Sequence, residues 1–148
     1  MPLFTKEIFI NAPCESIYTY VSKPVNLLQI WPSLEEISNE KLLGNGGYSF
    51  NWKYKMAGLH FKGIGECIDI VPNRWFTSKT HGPIESTHTW TFRSRENKTR
   101  VTLTVDYNLP SQILNKLAGI TLTNKNEREA ELILDNLRKK FETKSGDS

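Results

Sequence analysis

Five large apolar or aromatic residues alternate strictly with four small or polar ones through Tyr48-Ser49-Phe50-Asn51-Trp52-Lys53-Tyr54-Lys55-Met56. A period of two sends successive side chains to opposite sides of a strand, so this segment must bury one face and wet the other. The same period recurs twice. His88, Trp90 and Phe92 alternate with Thr87, Thr89 and Thr91, while Val101, Leu103, Val105, Tyr107 and Leu109 alternate with Thr102, Thr104, Asp106 and Asn108. Turn signals at Gly44-Asn45-Gly46-Gly47, Ala57-Gly58, Pro72-Asn73, Gly82-Pro83 and Glu96-Asn97 separate runs of strand length. That punctuation predicts a meander of about six antiparallel strands.

Leu3 to Ile10 reads as a further strand before it, stopped by Asn11-Ala12-Pro13. Pro13 suits the first turn of a helix, Glu15 complements its positive end, and Ile17, Tyr18 and Val21 fall at helical spacing up to Lys23-Pro24. Val25, Leu27, Leu28, Ile30 and Trp31 form a second compact helical piece that Pro32 interrupts. Beyond Pro110 the period lengthens. Ile113, Leu114, Leu117 and Ile120 make one helical stripe, and Ala130, Ile133, Leu134, Leu137 and Phe141 make another. Asn124 followed by Glu127 resembles a capping box, so a break over 121–126 and a main helix over 127–141 are expected, with Asp135 and Lys139 paired on its wet side. The polar residues 143–148 read as a frayed tail.

The order is thus strand, two short helices, strands, long helix. It predicts an α+β fold in which one helix covers one apolar face of a large sheet. At 148 residues the chain suits one domain, 1–148, and the 38% hydrophobic content is enough for a core. A net charge of +3, with its cations dispersed, gives no footprint for nucleic acid. Cys14 and Cys67 lack the spacing of a metal site or disulfide framework, which fits a reducing cytoplasm. No segment reads as a signal peptide or integral membrane span.

A helix narrower than the aromatic face beneath it leaves room for a cavity walled by Trp52, Tyr54, His88, Trp90 and Tyr107. The aromatic stripe that includes Phe50 serves equally as ordinary core. His88, in phase with Trp90, is either a polar cavity group or a satisfied core histidine, whereas His60 and His81 fall at positions that favour loops and solvent. Trp31 either anchors the short helices or gates the cavity mouth, and Ile113, Leu117 and Ile120 either pack or form a lid. Glu66 and Asp69, an odd number of positions apart on one strand, are expected on opposite faces and therefore not as an acid/base pair. No nucleotide-binding or Ser-hydrolase motif occurs.

Ile10-Asn11-Ala12-Pro13 with Ile17-Tyr18, Trp31-Pro32, Glu66 to Pro72, Lys98 to Thr102 and Leu134 to Glu142 resemble, in order, the polyketide cyclase/dehydrase and lipid-transport family of the START-like, birch-pollen-allergen-like superfamily. The resemblance spans about residues 3–142. It implies a helix-grip fold, a curved antiparallel sheet of six or seven strands around a long C-terminal helix. A cavity for a hydrophobic small-molecule ligand such as a lipid, sterol, quinone or polyketide would lie between them. Trp31, Phe50, Trp52, Tyr54, His88, Trp90, Tyr107, Ile113, Leu117 and Ile120 are the expected ligand contacts.

The expected function is that of a cytoplasmic carrier, sensor or chaperone for such a molecule, with no cofactor, metal or nucleic-acid partner; its oligomeric state, monomer or weak dimer, is left open. The alternative is a cyclase or aromatase with His88, Tyr54 and Tyr107 moving protons, although the arginine and acid/base set of aromatase members finds no match here. A minor alternative is an interaction module like the family's co-chaperone relatives.

Overall fold

A computed structural model describes residues 3–56, 58–108, 111 and 122–146, with side chains omitted at 122–125 and 143–146. Seven strands form one antiparallel sheet: β1 (Leu3–Ile10), β2 (Leu34–Leu42), β3 (Tyr48–Met56), β4 (Leu59–Val71), β5 (Trp75–His81), β6 (Glu85–Arg95) and β7 (Lys98–Asn108). Their order across the sheet is β1-β7-β6-β5-β4-β3-β2. Each expected turn signal falls between two consecutive strands, where Gly46, Gly58, Gly82 and Asn73 take the positive φ that glycine and asparagine tolerate; Glu96 adopts it too, at φ 58°. β1 closes the order by pairing with the last strand, Phe4 opposite Val105 and Ile8 opposite Val101.

The helices are α1 (Cys14–Val21), a 3₁₀ turn (Pro24–Gln29) and α2 (Leu122–Gly146). α1 buries Ile17, Tyr18 and Val21, and Tyr18 meets the rings of Phe92 and Phe76 edge-on at 5.6 and 6.1 Å. Phe76, Trp90 and Phe92 stack with one another beneath it. α2 buries Ala130, Ile133, Leu134 and Leu137 against the same face of the sheet, the stripe read from the sequence. Phe141 meets Tyr20 edge-on at 5.7 Å, and Asp135 binds Lys139 at 3.1 Å one turn on. This is the α+β helix-grip arrangement.

Two expectations fail on α2. The helix spans Leu122–Gly146 and runs through Asn124–Glu127 unbroken, so the capping-box pattern lies inside it. Its first turns carry Asn126 and Glu129 toward the sheet side, and those contacts outweigh the weak intrinsic propensity of the segment. It also continues to Gly146 through most of the expected tail. The stripe of Ile113, Leu114, Leu117 and Ile120 lies outside the described residues.

The Glu66–Asp69 geometry is also corrected. A register shift between Cys67 and Asp69 sets Glu66 opposite Lys79 and Asp69 opposite Thr77. The extra residue restores phase, and both carboxylates share the outer face. Neither lines the cavity. His60 and His81 occupy strand ends, not loops, and their exposed rings meet Glu35 at 2.8 Å and Glu66 at 3.2 Å. At the sheet's other margin β2 is irregular, with register shifts between Leu34 and Glu36 and between Ser38 and Lys41, and Asn39 at φ 56°.

Candidate functional site

The alternation in β3 places Phe50, Trp52, Tyr54 and Met56 on the inward face, and that in β6 and β7 places His88, Trp90, Val105 and Tyr107 beside them. Glycines make room for the largest rings. Gly65 and Gly63, opposite Phe50 and Trp52 on β4, let those rings lie flat across the neighbouring strand. A Cβ at Gly65 would stand 2.5 Å from Phe50 Cζ, and one at Gly63 2.5 Å from Trp52 Cζ2 and against the carbonyl oxygen of His81. The stripe is therefore core on one side and wall on the other.

Between this face and α2 lies a cavity of about 130 Å³. That is the scale of the ~150 Å³ apolar cavity known to hold a benzene. Of the expected contacts, Trp31, Phe50, Trp52, Tyr54, His88, Trp90 and Tyr107 all line it. Ile113, Leu117 and Ile120 lie outside the described residues. Leu27, Leu34, Ile37, Phe76, Ile84 and Ile133 complete much of the apolar wall.

The 3₁₀ turn brings Trp31 over the cavity. Glu40 fixes that turn from β2, accepting from Lys23 Nζ at 2.8 Å and from the Val25 amide at 3.0 Å. The Asn136 side chain donates to the Ile30 carbonyl at 3.1 Å, and Ile30 itself is fully buried. Ile30 is the anchor, which frees Trp31 to be wall. Its ring meets His88 edge-on at 5.2 Å, and its Nε1 donates to Glu129 Oε1 at 3.3 Å.

Glu129 is the residue that sequence reasoning missed. It reaches in from α2 and accepts from three donors: Trp31 Nε1 and the Ser33 amide at 3.0 Å, both in the connection before β2, and the Tyr54 hydroxyl on β3 at 2.5 Å. Burial, then the adjacent Glu129 charge and hydrogen bond, push the Tyr54 phenol above its ordinary range. It holds its proton and acts as donor. The signal was present: Asn126, Glu129, Ala130 and Ile133 share one face by three- and four-residue spacing, so the inner stripe extends into polar residues.

The floor carries a second polar group. Ser78 lies opposite His88, and Thr80 opposite Ser86, with the latter hydroxyls 2.6 Å apart. His88 has part of its surface open, and on the inward face that opening is to the cavity. Burial lowers its pKa from 6.5 to about 4, so the imidazole is neutral at pH 7. Its ring nitrogens make no hydrogen bond among the described residues. Trp52 Nε1, also buried, has no partner there either.

Among the described residues there is no group of three or more His, Cys, Asp or Glu placed to hold a metal ion, and no helix long and apolar enough to cross a membrane. The family model for polyketide cyclase / dehydrase and lipid transport matches residues 1–142. No curated protein matches. Among solved structures, TTHA0849 from Thermus thermophilus superposes with a TM-score of 0.77 at 20% identity, over 97% of this chain and 99% of that one. The Zhui aromatase/cyclase of a Streptomyces species gives 0.76 at 14% identity, over 95% and 93%. A START superfamily protein from Mycobacterium smegmatis gives 0.71 at 16% identity, over 95% and 97%. At these identities the likeness is one of fold.

Proposed function

The chain belongs to the polyketide cyclase / dehydrase and lipid-transport family, and on that premise we propose that it binds and carries, or senses, a small hydrophobic molecule between the sheet and α2. Family and fold together support hydrophobic ligand binding or a polyketide cyclase-type role. The observation that carries the binding reading is the cavity itself, walled by Trp52, Trp90, Tyr107 and aliphatic side chains. Apolar surface withdrawn from water contributes roughly 25 cal/mol per Å² and is the main favourable term, from which the cost of association is subtracted. Binding of this kind requires no catalytic group.

Native mass spectrometry of the purified protein, beside an organic extract of the same sample after denaturation, tests this. A co-purifying apolar molecule released on unfolding is expected. None, together with no thermal shift across lipids, quinones and aromatic polyketides, sets the reading aside.

A cyclase reading is favoured by one observation: Tyr54, Glu129 and His88 stand in the same cavity. A hydroxyl donor, a carboxylate and a neutral imidazole can move protons on an enolisable chain. Turnover of a poly-β-ketone surrogate, lost in Tyr54→Phe and His88→Phe, would replace carriage with catalysis.

A further inference from the structure

Among the described residues lining the cavity, Glu129 alone carries a formal charge. Resting on the reading that this cavity holds an apolar ligand, we propose that Glu129 and His88 make it selective for a neutral molecule bearing a hydroxyl, against the same molecule ending in a carboxylate.

Glu129 is fixed in place. Its Oε1 accepts from both Trp31 Nε1 and the Tyr54 hydroxyl, and its Oε2 accepts from the Ser33 amide. A carboxylate offers about four lone-pair positions and no donor, so the fourth, on Oε2, is left for a group that donates. A ligand carboxylate cannot donate, and it would set a second negative charge beside the first in a water-poor space. The hydroxyls at Ser78, Thr80 and Ser86 are neutral and offer it no compensating charge.

His88 complements the remaining chemistry. It touches the same Trp31 ring that binds Glu129, so the two polar groups flank one side chain. A neutral imidazole presents one donor and one acceptor, the pair that a hydroxyl matches. Its nitrogens have no other partner among the described residues, and leaving them unpaired against a purely apolar ligand forfeits that gain. A cavity of about 130 Å³ suits one substituted ring, which makes alkylphenols the natural probes.

The test is isothermal titration of the full chain, stripped of co-purified molecules, at about pH 7.5. The ligands are 4-ethylphenol, ethylbenzene and 4-ethylbenzoate. The phenol is expected to bind at least about tenfold more tightly than each of the others. In Glu129→Gln the deficit of the benzoate relative to the phenol should shrink about tenfold, and in His88→Phe the preference for phenol over ethylbenzene should fall to about twofold. The wild-type ratios decide the matter even if a variant fails to fold. The benzoate or ethylbenzene matching the phenol overturns the selectivity while leaving the binding cavity standing. If none of the three binds, the selectivity falls, and the native mass spectrometry decides the binding reading separately.

Discussion

Tyr54 donates its phenolic hydrogen to Glu129 across 2.5 Å, although the two residues stand 75 positions apart in the chain. The bond joins β3 to α2 over the cavity, and Trp31 Nε1 shares the same carboxylate oxygen. The sheet, the connection before β2 and the C-terminal helix are thereby held by one side chain.

Tyr54→Phe keeps the ring and removes the donor. A hydrogen bond to a charged group is lost, so urea unfolding should show a loss of about 2 kcal/mol with an unchanged circular dichroism spectrum. A loss below a few tenths of a kcal/mol would mean that Trp31 and Ser33 hold Glu129 unaided.

His88 gives the protein an acid-sensitive core. Its native pKa is about 4 against an ordinary 6.5, so between those values the unfolded chain binds more protons than the folded one. Stability therefore falls as pH drops from 6.5 toward 4, by up to roughly 3 kcal/mol from this residue. The difference in unfolding free energy between wild type and His88→Phe, followed over that window, should change by about this amount. A pH-independent difference contradicts it.

Gly63 and Gly65 should respond unequally to a methyl group. At Gly63 the new Cβ meets the backbone oxygen of His81 as well as the Trp52 indole, and backbone cannot swing aside. At Gly65 the nearest atoms are those of the Phe50 ring. Gly63→Ala is expected to cost about 3 kcal/mol and Gly65→Ala about 1 kcal/mol in thermal or chemical unfolding. Equal costs would place the strain in the rings alone.

Thr99, only 1% exposed, donates its hydroxyl to the Ala12 carbonyl at 2.7 Å and ties the β1–α1 connection to β7. Thr99→Val preserves shape but strands that carbonyl. The expected loss is about 1 kcal/mol, and hydrogen exchange should quicken first around residues 12–14. Uniform quickening would show no local tie.

The sheet was legible because its two-residue period and its turns are local properties. Tyr48–Met56 and Leu3–Ile10 match their expected bounds, and the inward phase of His88 and Trp90 follows from counting. Glu129 was not legible as a cavity group, since its meaning depends on where Trp31 and Tyr54 arrive, and neither is a chain neighbour. The expected break before residue 127 failed for a related reason. Asn124 and Glu127 form a local stop pattern, and tertiary contacts along α2 override it. The phase of Asp69 was lost because a single bulge resets every face beyond it.

The irregular margin at β2 determines what the sheet cannot do. A straight terminal strand leaves a comb of unpaired amides and carbonyls on which a foreign strand can grow. Here two slips of register and the left-handed turn of Asn39 interrupt that comb, and Glu35, Glu36, Glu40 and Lys41 add charge along it. The aromatic sheet thus ends at β2 in a selvage that resists fibrous growth.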